Sequence, residues 1–165
     1  MLARALGLSL AIAFACPIVA FGADKFPDVK GKWVGKSVSI VSGTGGHWPS
    51  GKGTFDKPGL YEKDVVIDVT GQQDRRFWGV TTLSGGSEKT EEPFIGALAG
   101  DEGRDFFAAD TDGYVLGHLN DDNDKLSYCY VQAGGGKSGS SVVSCTEVGD
   151  VPLFVELGGT GVAGW

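Results

Sequence analysis

An aromatic residue followed two positions later by glycine recurs along this chain. Trp33-Val34-Gly35 comes first, then Phe77-Trp78-Gly79 and Phe94-Ile95-Gly96, with Tyr114-Val115-Leu116-Gly117 as a looser copy. Each lies in a short run that reads as a β-strand. Residues two apart on a strand share a face, so ring and glycine stand on the same side. Glycine weakens a strand unless the strand bends there or another group packs close. Repeated around a sheet, the pairing suits a small, tightly curved barrel, with glycines at the bends and rings covering them.

Glycine supplies 28 of the 165 residues, about 17% against a usual ~7%. The glycines are not periodic by three, which excludes collagen, and they leave almost no room for a helix. Only His118–Ala133 runs past a dozen residues without Gly or Pro, and Asp121-Asp122-Asn123-Asp124 splits it with a turn cluster. The chain reads as all-β. Expected strands are Lys30–Val41, Glu62–Gln72, Arg75–Leu83, Pro93–Gly100, Arg104–Asp110, Tyr114–Asn120, Lys125–Gln132 and Ser140–Val148. Short links with turn chemistry (Gln73-Asp74, Asp101-Glu102-Gly103, Asp112-Gly113) make neighbours antiparallel. The expected architecture is an eight-stranded antiparallel up-and-down barrel, which removes exposed edges and is wide enough to be filled or to hold one small ligand.

Three segments fall outside this order. Residues 1–22 read as a secretory leader: Arg4 is followed by apolar Leu6–Ala15, Pro17 breaks the run, and Ala20-Phe21-Gly22 offers a cleavage site before Ala23. Phe14 stands where a lipobox wants a small residue, so lipid attachment at Cys16 is not expected. Ser42–Leu60 is rich in Gly and Pro, carries His47, Trp48 and Phe55, and reads as a long, lid-like loop. Residues 151–165 read as a tail that packs on the 23–150 barrel or adds a strand. Trp165 invites comparison with outer-membrane barrels, which commonly end in an aromatic. The short strands and the glycine-rich run before Trp165 make membrane insertion the less favoured expectation.

Removing Arg4 with the leader takes the net charge from −7 to −8. That balance argues against nucleic acid and against docking on anionic lipid. Two cysteines then remain, Cys129 and Cys145, and an exported chain with two cysteines favours one disulfide. Folding the Leu126–Gln132 and Ser140–Val148 strands about Lys137 sets the two opposite each other. The bridge would pin the last strand pair, worth ~3 kcal/mol on a loop-entropy model.

Gly31-Lys32-Trp33, at the start of the first strand, resembles the Gly-x-Trp signature of the lipocalin and avidin superfamily of small barrels. The resemblance covers the layout from about Lys30 to Val148. It implies that Trp33 plugs one end of the barrel and that the other end is the mouth for a small ligand. The short loops look more avidin-like. Of the two residues with which avidins touch biotin after the Trp, the Asn position is Gly35 here, and Ser39 stands at the Ser position. The Arg that lipocalins place over the Trp has no counterpart in Ser140–Val148. Biotin binding and a standard lipocalin closure are therefore not carried over. Small periplasmic inhibitors of bacterial metalloproteases are also lipocalin-like barrels with one disulfide. Their inhibitory arm would correspond to Ala23–Asp28.

No catalytic constellation stands out. Only His47 and His118 are available for acid–base work, and no Ser-His-Asp arrangement can be argued from their neighbourhoods. Asp110-Thr111-Asp112-Gly113 and Asp121–Asp124 lack the third acidic position and the distal Glu of a calcium loop, and read as turns. Gly134-Gly135-Gly136-Lys137-Ser138 lacks the first Gly and the following helix of a phosphate loop. No metal, no cofactor and no enzymatic activity are expected. The aromatics are the best binding material: Trp33, Phe77, Phe94, Tyr114, Tyr128 and Tyr130 would share inward faces, although Cys129 and Val131 compete with the two tyrosines for the inward face of their strand. His118 alternates with Tyr114 and would point inward with it. The expected ligand contacts are Ser37, Ser39, Trp48, Phe77, Phe94, Tyr114, His118, Tyr128 and Tyr130. The leading expectation is an exported, periplasmic or secreted, non-enzymatic barrel that binds a small molecule. The rival is a protein-interaction module with a filled barrel, marked by an exposed apolar patch near Trp48 or Leu153–Leu157. Self-association is compatible with both.

Overall fold

The computed structural model describes residues 26–45, 48–134 and 139–151; for residues 45 and 48–52 it gives the backbone alone. The expected leader, residues 23–25 of the 23–28 arm, His47, the hairpin tip around Lys137 and the tail from residue 152 lie outside the described residues. The chain is all-β, with nine strands and no helix among the described residues: β1 Gly31–Gly45, β2 Trp48–Gly53, β3 Gly59–Gln73, β4 Arg76–Gly85, β5 Glu88–Ala99, β6 Asp105–Ala109, β7 Tyr114–Leu119, β8 Lys125–Gln132 and β9 Ser140–Asp150. Neighbours pair antiparallel in chain order from β3 to β9, β1 pairs with β3, and β9 returns to β1, from Trp33↔Asp150 to Gly43↔Ser140. That last pairing closes an eight-stranded barrel.

The strand called β2 corrects the expected loop. The Ser42–Leu60 stretch is rich in Gly and Pro, yet β1 runs on to Gly45 and β2 folds back along it, with Gly43 opposite Gly53. β3 ends its pairing with β1 at Val41↔Gly59, and β2 takes over β1's edge beyond that point.

The glycine–aromatic pattern operates between strands. Phe77 lies opposite Gly96 and Gly79 opposite Phe94, so β4 and β5 exchange a ring for a glycine twice. A methyl at Gly96 would run into the Phe77 ring, and one at Gly79 would meet the Asp68 carbonyl and the Phe94 ring. Phe106 covers Gly117 across the next-but-one pair in the same manner. The rings then meet edge to face, with centroids 6.1 Å apart for Phe77–Phe94 and for Phe77–Phe106. Glycine lets the sheet curve, and the neighbouring ring restores the burial that glycine lacks.

One end is closed. Trp33 is 2% exposed, and its indole N–H donates to the Val29 carbonyl at 3.0 Å. Residues 26–30 cross beneath it. Val29 N–H donates to Gln72 Oε1 at 2.8 Å, and Gln72 Nε2 donates to the Pro27 carbonyl at 2.8 Å. Phe26 is buried, with the Arg75 guanidinium 4.1 Å from its ring centre, a cation–π distance. Leu98, Leu119, Leu126 and Val148 complete this packed end.

Cys129 and Cys145 form a directly paired disulfide, with Cα atoms 4.1 Å apart, on the outside of the β8–β9 ladder. Tyr128 and Tyr130 therefore take the inner face, which the sequence left open.

Candidate binding cavity

Above the packed end the barrel encloses a cavity of about 90 Å³, counted as space open to the centre of a water molecule. A single water needs only about 10–15 Å³ on that measure, so the space holds more than one. Its two halves differ. On β4–β6, Phe77, Phe94, Phe106, Leu83 and Ala108 make an apolar wall. Across the barrel, β1, β8 and β9 contribute Ser37, Ser39, Tyr128, Tyr130, Gln132 and Ser144.

The period of two on each strand sets this division. Ser37 and Ser39 follow Trp33 and Gly35 on the inner face of β1, each at most 4% exposed, with their Oγ atoms 3.1 Å apart. Ser144 is 6% exposed. Thr146 Oγ1, beside Tyr128, is buried without a hydrogen bond of good geometry. Gln132 Nε2 donates to the Ser140 carbonyl at 3.2 Å, and the Tyr130 hydroxyl donates to Gln132 Oε1 at 3.3 Å. Ser144 lines the cavity, so its hydroxyl is placed to meet an occupant.

Two carboxylates stand on the cavity wall away from Trp33. Glu92 on β5 and Asp110 just past β6 both line the cavity, and no Lys or Arg does so among the described residues. Asp110 Oδ1 accepts the backbone N–H groups of Asp112 and Gly113 at 2.9 and 2.6 Å, which builds the turn into β7. Thr111 Oγ1 donates to Glu92 Oε1 at 3.1 Å. Burial, outweighing those backbone bonds, raises the Asp110 pKa, and the hydrogen-bonded Glu92 raises it further. Burial also raises the Tyr130 phenol, with the charges of Asp110, Glu92 and Asp112 acting in the same direction. Tyr128 is pushed up to about 12 by burial. Both phenols therefore stay neutral across the physiological range.

Of the expected contacts, Ser37, Ser39, Phe77, Phe94, Tyr128 and Tyr130 come together in this cavity. Tyr114 and His118 do not. Tyr114 is 69% exposed, and His118 lies on the outer face with Nδ1 2.8 Å from Asp105 Oδ1. The phase of β7 is set by Gly117, which must face inward because Phe106 and the Tyr128 Cβ occupy the space where its side chain would be. Val115, Gly117 and Leu119 then point in, and a strand cannot turn both faces inward. The side chain of Trp48 lies outside what the structure describes. Glu92, Asp110, Gln132, Ser144 and Phe106 join the site without having been anticipated. Gln132 and Ser144 could have been found by extending the alternation from Tyr128 and Tyr130 along β8 and onto β9.

The outer face carries a second concavity, a groove of about 580 Å³ lined by Trp78, Ile95, Phe107, Tyr114 and Leu116. These side chains are 45–70% exposed and lie side by side across β4–β7. The patch near Leu153–Leu157 expected for a protein partner lies outside the described residues.

Fold and cavity together define a closed eight-stranded antiparallel barrel with an internal, two-sided site. No protein-family model matches the chain, and neither a curated protein nor a solved structure matches it.

Proposed function

We propose that this barrel is a non-enzymatic binder of a small molecule, held in the cavity between the phenylalanine wall and the hydroxyl wall. The observation that carries the reading is the cavity itself, with Ser37, Ser39, Ser144 and Tyr130 lining one wall and Phe77, Phe94 and Phe106 the other. Binding sites combine apolar burial with a few convergent polar groups, and this cavity has both. The lipocalin and avidin resemblance belongs to the same reading, with Trp33 as the plug and the opposite end as the mouth. Export to an oxidising compartment fits the Cys129–Cys145 bridge. Membrane insertion fits poorly, because β6 and β7 have 5 and 6 residues, short of the ~9–11 that a membrane strand needs. Native mass spectrometry of the chain purified gently from its own host tests the proposal. A co-purifying small mass that is lost on Ser144→Phe supports it, and a bare chain with a dry cavity by solvent-exchange NMR overturns it.

The outer groove supports a second reading, self-association through a second copy of the chain. Among the described residues the lining of the groove holds one charged residue, Arg76, on a chain of net charge −7. Two copies could meet there without bringing carboxylates together. Sedimentation velocity from low to high micromolar concentration, with Phe107→Lys as the variant, distinguishes the two readings.

A further inference from the structure

The bridge between β8 and β9 sits in the open. Cys129 and Cys145 are directly opposed on the outer face of the barrel, where Cys145 is exposed and Cys129 half-buried. Across the ladder their neighbours are Leu116 on β7 and Val38 on β1. Along the strands the next outward residues are Val131 and Val143, and all four of these side chains are themselves 40–60% exposed. A bridge ringed by exposed side chains has no second layer over its sulfurs. Nor is the bridge what joins the two strands. They pair in register on both sides of it, from Lys125↔Gly149 to Gln132↔Val142, and β9 is held by β1 as well. Structural disulfides of exported proteins resist reduction, whereas exposed ones are the labile, regulatory or catalytic kind.

We infer that Cys129–Cys145 is a thiol–disulfide exchange site, opened and re-formed by a dithiol while the barrel stays folded. The inference is independent of what the cavity binds, because the bridge faces away from it. A thiolate of the dithiol attacks Cys145 Sγ, on the more exposed residue of the two, and Cys129 leaves as a thiolate that takes a proton from water. The S–S bond joins opposed residues and so runs across the strands, which puts the in-line approach to Cys145 over β1, past Val38. The second thiol of the reagent then attacks its partner sulfur in the mixed disulfide and releases Cys145. Two electrons and two protons pass to the chain, which ends with two thiols, and the reagent ends as a disulfide. The strands remain hydrogen-bonded in register, so the thiols stay opposed and an oxidised dithiol closes the bridge by the reverse steps.

The test reduces the oxidised chain with dithiothreitol at about pH 8, where ordinary thiols are partly ionised. Free thiols are trapped with N-ethylmaleimide and located by peptide mass, and the fold is followed by amide chemical shifts. The rate is expected to rise in proportion to dithiol, and to hold within about twofold as urea is raised to half the unfolding midpoint, because native-state attack needs no opening. Shifts away from β8 and β9 should stay where they were in the oxidised chain. A rate that saturates with dithiol, or that climbs in step with the unfolded fraction, shows that the sulfurs are reached only by unfolding and overturns the inference. Collapse of the dispersed amide spectrum on reduction overturns it as well. Reduced thioredoxin at the same thiol concentration separates the sources: reduction by either reagent supports the site, and the faster one says whether a protein dithiol or a small one suits it. Val38→Trp, at an exposed position, should slow reduction at least about fivefold by crowding the approach to Cys145, while Leu116→Trp leaves it within about twofold. The reverse pattern, or no effect of either, overturns the assigned attack. The urea and dithiol dependences of the unaltered chain carry the test even if a substituted chain does not fold.

Discussion

The two ends of the barrel are made from the same strands, yet they treat their polar groups in opposite ways. At the closed end the Trp33 indole is bonded to Val29, and Gln72 ties down both Val29 and Pro27. Leucines and valines fill the remaining space. Beyond it, around the cavity, Ser37, Ser39 and Ser144 are buried polar residues on one wall, Thr146 Oγ1 is buried without a hydrogen bond of good geometry, and Asp110 and Glu92 line the same space. Burying unpaired polar groups costs stability. The plugged end is therefore built for stability, while the cavity zone carries polar features that an occupant would reward. Natural proteins commonly give up stability at binding sites in this manner.

The sharpest way to break the comparison is to remove the plug. Trp33→Ala should cost about 3–5 kcal/mol, the usual range for deleting a large buried aromatic, read by urea unfolding of the oxidised chain. A loss below about 1 kcal/mol would mean that the closed end is not where stability resides. Next comes the staple on the outer wall. Cys129→Ser with Cys145→Ser should cost ~3 kcal/mol, and ligand affinity in the cavity should change little, because the bridge faces away from it.

A third substitution works in the other direction. The folded-state pKa of Asp110 is raised above its ordinary value of 3.8. The folded chain thus holds that proton more tightly than the unfolded chain, and stability falls as pH rises from about 3.8 through the raised value, then levels off. Asp110→Asn keeps an oxygen for the Asp112 and Gly113 amides but carries no charge. It should raise the midpoint of thermal unfolding at pH 7, with the gain shrinking as pH falls through that window. An equal effect at pH 7 and below pH 4 would deny that the ionised carboxylate is the costly species.

The barrel was legible because its constraint is local and repeated. Phe77, Gly79, Phe94 and Gly96 mark curvature within a few residues of each other, and the midpoint between Cys129 and Cys145 fixes a hairpin. The β2 strand was not legible. Its Gly and Pro content reads as loop, and only the pairing of Gly53 with Gly43 makes it a strand. The inner face of β7 was misread because Tyr114, Leu116 and His118 offer the larger side chains, while the deciding residue, Gly117, acts through the space it leaves for Phe106. Part of the site was visible in Ser37, Ser39, Tyr128 and Tyr130. Asp110 was read as a turn residue, which it is, and Glu92 fell outside the expected Pro93–Gly100 strand, so neither was placed in the site. What brings these two together is the β5–β6 pairing, a tertiary relation that no sequence window contains.

The smallest expected effect bears most directly on the contrast between the ends. Ser144 is a buried residue whose side chain lines the cavity, so Ser144→Ala is expected to cost the fold little. Removing a buried polar atom without orphaning a partner is nearly neutral or slightly stabilising, within about 1 kcal/mol. Were Ser144 a structural residue like the Trp33 plug, the same change would destabilise the chain. A hydroxyl kept for an occupant behaves otherwise: unfolding midpoints hold or rise, while affinity for 2-phenylethanol, whose own hydroxyl can reach that wall, falls several-fold. Unfolding and binding measured on the one variant separate the two roles. A clear loss of stability with unchanged affinity would place Ser144 with the closed end and erase the division.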